Sequence, residues 1–228
     1  VKIFIDSANI KEIDKWLSMG VVDGVTTNPS IMFREGLYDI EQGVRKIASL
    51  INPLPLSVEV TTNDLGEMLK QGRQFADWSP NIVVKIPQTN QDGVPCFGVM
   101  HQLEKMNIKV NATAALSLGQ VILSAKAGAT YISIFAGRVT DEGGNSSELI
   151  MNSVDILENG SFKSQIIVGS IRSVGDVLAA AIAGAHIITI PPQFIDKMAD
   201  HKYTRDTVRQ FIVDANQALE MMKKNKPQ

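Results

Sequence analysis

Cysteine is nearly absent. The 228-residue chain carries one, Cys96, which excludes an intramolecular disulfide framework and points to a reducing compartment. Histidine is scarce too: His101, His186 and His201 have no metal-ligand spacing and no cysteine cluster nearby, so they read as structural and no metal is expected. Excess charge of either sign is missing, since 22 Lys and Arg against 24 Asp and Glu leave a net charge of −2. That balance offers no footprint for nucleic acid or an anionic membrane. No run approaches the roughly 20 apolar residues of a membrane span. No Pro/Ser-rich linker or compositional break marks a domain boundary. The opening VKIFIDSANI, with Asp6 inside a strand-like pattern, is unlike a secretory leader. At 44% hydrophobic and 20% charged residues the chain is not disordered by composition. The expectation is a soluble, cytoplasmic, single-domain protein with no nucleic-acid or membrane partner.

What is present is rhythm. Short β-branched runs recur at 2–6, 21–27, 55–60, 81–87, 107–112, 130–135, 165–170 and 186–190. Between them lie helical spacings at 9–18, 36–50, 63–78, 117–127, 144–158 and 173–184. Ser7 or Asn9 can cap the first helix and Asn63 or Asp64 the third, while Gly128 and Gly184 follow two others. Strands apolar on both faces, alternating with helices, predict parallel pairing under a helical cover. Eight units average about 28 residues each, workable for a closed α/β barrel of the (β/α)8 TIM type. A doubly wound open sheet is the competing topology, because periodicity does not show closure. Residues 1–202 would form the barrel. The amphipathic stretch 203–224, followed by NKPQ, predicts an extra C-terminal helix and tail (203–228) packed on the barrel or on a neighbouring subunit.

In such a barrel, chemistry sits where strands end. That filter selects Asp6; Thr26, Thr27 and Asn28; Glu59; Lys85; Asn111 and Thr113; Ser133 and Arg138; and Ser170 and Arg172. One such residue reads as a solvated strand end, but seven strands together predict a shared polar pocket. Lys85 stands among Ile82, Val83, Val84, Ile86 and Pro87, which desolvate it and favour a neutral, nucleophilic amine. Such an amine can form a Schiff base that acts as an electron sink for carbon–carbon cleavage. An isolated VVKIP reads first as a snorkelling or paired lysine, but Asp6 and Glu59 shift the balance by adding two carboxylates to divide the proton transfers. Arg138, Arg172 and Ser170, after strands six and seven, form a candidate anion clamp. The DEGGN segment at 141–145 lacks the strand–glycine–helix context of a nucleotide loop and reads as a flexible βα loop. VPCFG at 94–98 predicts a distorted start to the fourth helix.

FIDSANI at 4–10, GVTTNPSI at 24–31, VVKIP at 83–87, NAT at 111–113, AKAGATYIS at 125–133, GR at 137–138 and GSIR at 169–172 together resemble the short transaldolases and the related fructose-6-phosphate aldolases. The resemblance runs in order over essentially the whole chain. It implies that Lys85 forms the Schiff base and that Asp6 takes the proton from the donor's C4 hydroxyl. Glu59, with a water shared with Thr113, would assist carbinolamine dehydration. It also implies that Asn28 and Asn111 hold the dihydroxyacetone hydroxyls, Ser133 lines the donor pocket, and Arg138, Ser170 and Arg172 bind phosphate. Glu59 and Phe135 resemble transaldolases, where the aldolases have glutamine and tyrosine. The implied reaction moves a dihydroxyacetone unit from sedoheptulose 7-phosphate or fructose 6-phosphate to an aldose phosphate, in the non-oxidative pentose phosphate pathway. It needs no cofactor. A pentamer-based homo-oligomer or decamer is implied, with the last helix reaching a neighbour. Two alternatives remain: an aldolase releasing free dihydroxyacetone, or a non-catalytic sugar-phosphate-binding barrel. The chain departs from the family at 88–98, QTNQDGVPCFG, and at Ala114, Ala115 and Leu116, which bears on donor and acceptor range.

Overall fold

The structure, a computed structural model, describes residues 1–224. The first half comprises β1 (Lys2–Asp6), α1 (Ile10–Ser18), β2 (Gly24–Thr26), α2 (Pro29–Arg34), α3 (Ile40–Ile51), β3 (Leu56–Glu59), α4 (Leu65–Ala76), β4 (Ile82–Pro87) and α5 (Phe97–Lys105). It continues through β5 (Val110–Ala115), α6 (Leu118–Ala127), β6 (Tyr131–Phe135), α7 (Ala136–Asp141), α8 (Ser146–Asn159), β7 (Gln165–Gly169), α9 (Val174–Ile182) and β8 (Ile187–Ile190). Two helices close the series, α10 (Pro192–Ala199) and α11 (Lys202–Lys224). The eight strands pair in parallel in chain order, and β1 pairs with β8 from Lys2↔Ile187 to Ile5↔Ile190. That last pairing closes the sheet into the (β/α)8 barrel and removes the open-sheet alternative.

The chain has two compact units, Val1–Pro192 and a second running from Gln193 to the chain end. Within the second, α11 is the helix expected over 203–224; NKPQ at 225–228 lies outside the described residues. Among the described residues no helix is long and apolar enough to cross a membrane.

Local chemistry explains most boundaries. The Asn9 side chain accepts from the Lys11 and Glu12 amides at the start of α1, and Asp64 accepts from Glu67 at the start of α4. Each such cap is worth about 1 kcal/mol. Gly128 ends α6 in the left-handed conformation at φ 97°, where a Cβ is costly. Helices α2, α7 and α10 were not anticipated. For α2 a signal exists in NPS: Asn28 caps it through Ile31 N–H, and Pro29 occupies the first turn, where a missing N–H costs nothing. Helix α7 starts without a side-chain cap, so no sequence mark announces it. Strand five also differs, lying at 110–115 rather than 107–112. The left-handed turn at Asn107 (φ 60°) ends the preceding connection and delays the strand. The DEGGN segment is an ordered turn between α7 and α8. Gly143 and Gly144 donate to Thr140 and Val139 carbonyls, and Asn145 caps α8.

Alternation along the strands stacks the barrel interior in layers. Phe4, Ile167 and Ile187, with Tyr131 packed edge-to-face on Phe4 at 6.1 Å, plug the end from which the strands start. Burying Phe4 contributes about 1.5–3 kcal/mol. Gly24 makes that ring possible, since a Cβ there would sit 2.7 Å from it. Two residues further along, the same inward faces carry Asp6, Thr26, Ser133, Gly169 and Thr189. The apolar plug thus closes one end, and polar chemistry gathers at the other.

Candidate active site

A cavity of about 210 Å³ opens at the C-terminal ends of the strands. Asp6, Thr26, Asn28, Lys85 and Ser133 line its depth; Phe135, Arg138, Gly169, Ser170 and Thr189 complete the wall. Lys85 is 5% exposed. Its Nζ lies 3.0 Å from Glu59 Oε2 and donates to the Thr27 carbonyl at 3.0 Å. Register explains the pair, because Glu59, Lys85 and Asn111 are cross-strand partners across β3, β4 and β5. A paired ammonium was one of the two readings of VVKIP, and the pairing carboxylate is itself a candidate catalytic group.

Asp6 is half-buried at the end of β1 beside Thr26, whose hydroxyl lies 2.8 Å from its Oδ1. Burial raises the Asp6 pKa above the usual 3.8; the attraction of Lys85, the Thr26 hydrogen bond and the attraction of Arg34 lower it, but desolvation wins. The group is therefore a stronger base than a surface aspartate.

Strand five supplies two more groups. Ser133 donates to Asn111 Oδ1 at 2.7 Å, and Asn111 Nδ2 donates to Ser57 Oγ at 3.2 Å. All three are buried. Thr113, also buried, has a hydroxyl with no hydrogen-bond partner among the described residues. Such orphans are rare in protein interiors and mark places where water or ligand is accepted. A register shift between Ala112 and Ala115, with Ala114 at φ 59°, follows at once. Ser170, after β7, is a second non-glycine residue held left-handed, at φ 59°. Ser170 lines the Lys85 cavity, so one of these left-handed residues stands at its wall.

The arginines separate. Arg138 lines the Lys85 cavity; Arg172 lines an adjoining one of about 220 Å³, its guanidinium gripped by Asp141. The Arg172 hydrogen bonds hold the Asp141 carboxyl below its usual range. Gly137 permits this arrangement, since a Cβ there would sit 2.4 Å from the Ser170 carbonyl oxygen and 2.8 Å from Arg172 Nε. Gly137→Ala is therefore expected to push out residues 170–172 with little effect on the barrel. Anion affinity measured by phosphate competition should fall while the far-UV circular dichroism stays unchanged.

The departing segment 88–98 is braced rather than loose. Asn90 Oδ1 accepts from Asp92 and Val94 N–H, and its Nδ2 donates to the Asn63 carbonyl. Asn63 returns the contact by accepting from Gln91 N–H and donating to Asp92. The loops after β3 and β4, which carry Glu59 and Lys85, are thereby tied together. The distortion expected at VPCFG is a Thr89–Pro95 bridge followed by α5, whose N-cap Cys96 makes no side-chain cap bond. His186 serves structure, its Nδ1 accepting from Ile166 N–H at 3.1 Å. Reading strand ends missed Ser57 and Thr189. Thr189 is the polar residue of β8, the one strand from which no group was taken.

Solved structures show the same fold. A mandelate oxidase mutant carrying an FMN adduct superposes with a TM-score of 0.58 at 15% identity, covering 84% of this chain and 64% of that one. A thiamine phosphate pyrophosphorylase from Pyrococcus furiosus does so at 0.56 and 13%, covering 83% and 85%. Sequence comparison is more specific. A probable transaldolase of Dehalococcoides mccartyi is 39% identical over 214 residues, 94% of this chain and 97% of that protein. One from Lactiplantibacillus plantarum is 41% identical over 214 residues, 94% and 96%. The family model for transaldolase/fructose-6-phosphate aldolase matches residues 3–227. With a matching barrel and relatives that align end to end, the chain belongs to the transaldolase/fructose-6-phosphate aldolase family.

Proposed function

We propose that this chain is a transaldolase, transferring a dihydroxyacetone unit between sugar phosphates through a Schiff base on Lys85. The observation that carries the reading is a buried lysine 3.0 Å from one carboxylate, sharing a cavity with a second. Glu59 is placed to take a proton from the Lys85 ammonium, leaving the amine lone pair to attack the ketone carbon of a ketose phosphate. The carbinolamine oxygen then leaves as water, protonated through Glu59 and a water that the unpartnered Thr113 hydroxyl can hold. Asp6 takes the C4 hydroxyl proton as the C3–C4 bond breaks. The electron pair flows into the iminium, giving an enamine on Lys85 and a free aldose phosphate. Addition to an acceptor aldehyde returns the proton from Asp6 to the new alkoxide. Hydrolysis then frees Lys85.

Binding follows the same map. The Asn28 oxygen is committed to capping α2, so its amide NH2 is the end left to meet a substrate oxygen. Asn111 and Ser133 hold one another in place and present to the donor's hydroxyls. Arg138 and Ser170 stand at the cavity wall to receive the phosphate. Arg172 would exchange Asp141 for that phosphate, the carboxylate presetting its guanidinium meanwhile.

The test is product analysis. With fructose 6-phosphate and erythrose 4-phosphate, sedoheptulose 7-phosphate and glyceraldehyde 3-phosphate should appear together; without acceptor, free dihydroxyacetone should not accumulate. Accumulation would instead support the aldolase. Phe135, on the cavity wall, bears on that choice because its ring cannot donate a proton to the enamine. Phe135→Tyr is expected to shift product toward free dihydroxyacetone at the expense of transfer, read by an enzymatic dihydroxyacetone assay.

A further inference from the structure

We propose that Thr189 on β8 is a positioning residue, whose hydroxyl donates to Thr26 and strengthens the hydrogen bond that Thr26 makes to Asp6 Oδ1. The inference rests on the Asp6 role proposed above. Thr26 Oγ1 touches two partners, Asp6 Oδ1 and Thr189 Oγ1. It has a single proton. An ionised carboxylate only accepts, so that proton must point to Asp6. The Thr26–Thr189 contact can then form only with Thr189 as donor. The direction of the whole chain, Thr189 to Thr26 to Asp6, is thereby determined by the charge at its end.

Two consequences follow for the reaction. With Oδ1 occupied by Thr26, the substrate proton is received by Oδ2. Each hydroxyl in the chain polarises the next, so Thr189 strengthens the Thr26 bond to the anion without touching substrate. Other groups act on Asp6 from several sides: Lys85 on β4 and Arg34 on α2 favour the anion, while Glu59 on β3 disfavours it. Arg138 lines the same cavity. None of these makes a hydrogen bond to the Thr26 hydroxyl; Thr189 does. Its methyl has separate work, since Thr189 Cγ2 sits 3.3 Å from where a Gly169 Cβ would stand.

Thr189→Val removes the hydroxyl and keeps the shape; Thr189→Ser keeps the hydroxyl. In full-length protein, Thr189→Val is expected to lower kcat/KM about two- to tenfold on the acid side of its pH profile, the scale of one net hydrogen bond. The loss should shrink at higher pH, where Asp6 is ionised in both proteins, and Thr189→Ser should follow wild type. Asp6 is also titrated without turnover, by carbon-13 NMR of aspartate-labelled protein with Asp6→Asn assigning the signal. Thr189→Val should move that titration to higher pH, because the anion loses support. An unmoved titration in folded Thr189→Val, checked by thermal melting, overturns the proposal. If that variant melts early, Thr189→Ala carries the same comparison. A moved titration in a protein that transfers no dihydroxyacetone would overturn the transaldolase reading and leave the hydroxyl chain standing.

Discussion

Lys85→Ala is expected to lower transfer by on the order of 10⁴-fold or more, the scale on which an enzyme feels the loss of a covalent nucleophile. No neighbouring group can replace it. Glu59 and Asp6 are carboxylates, and an oxygen nucleophile gives no iminium to receive the electrons of the C3–C4 bond. Intact-mass spectrometry after borohydride reduction with fructose 6-phosphate reads the effect directly. A dihydroxyacetone-sized adduct should appear on wild type and be missing from the variant. No adduct on folded wild-type protein would remove the central residue of the mechanism and leave sugar-phosphate binding as the better account. Lys85→Met is the companion variant, because it keeps the apolar stem among Val83, Val84 and Ile86. The fold should survive both changes. Glu59, left without its cation, has a side chain 24% exposed and can regain water, so it does not become a fully buried lone charge.

Asp6→Asn is expected to cost about 10²–10⁴-fold in transfer, the usual weight of a positioned acid/base. The same change should raise the melting temperature at neutral pH. Burial holds the native Asp6 pKa above 3.8, so the native state binds a proton that the unfolded chain releases. The associated stability is fully present below 3.8 and is lost as pH rises through the raised native value. At neutral pH wild type therefore carries a desolvated charge that asparagine lacks. Asparagine still offers Thr26 an acceptor oxygen. Calorimetry of both proteins across pH should show the variant melting higher at neutral pH, with the gap closing in acid. A variant that melts lower than wild type at every pH would show that Asp6 holds the barrel together rather than working in it. Stability surrendered at a reactive group is the pattern expected of an active site.

Much of this site was legible because strand periodicity and function coincide. A strand end is marked by where its apolar run stops; Asp6 and Glu59 end their strands, and Lys85 is the one charged residue in the apolar run of β4. Strand five was placed early because IKV at 108–110 reads as β-branched and apolar, whereas the turn at Asn107 is a backbone conformation with only weak local marking. Thr189 escaped because HIITI reads as a uniformly buried strand. Its value lies in Thr26, 163 residues away. Arg172 was grouped with Arg138 by spacing after consecutive strands, and its carboxylate partner Asp141 comes from α7, a helix with no cap signal.

The sequence by itself determined the alternating strand–helix rhythm, the parallel pairing, the caps of two helices and the family. Each of these is local or repeats along the chain, and local propensities and apolar periodicity need no knowledge of what lies opposite. Tertiary structure alone decided closure through β1 and β8, the register that sets Glu59 against Lys85, and the burial that raises the Asp6 pKa. It also decided the separation of Arg138 from Arg172 and the hydroxyl chain from β8 to β1. The physical reason is that hydrogen bonds, ion pairs and desolvation depend on distances of a few ångströms between residues remote in the chain. Barrel closure sets those distances.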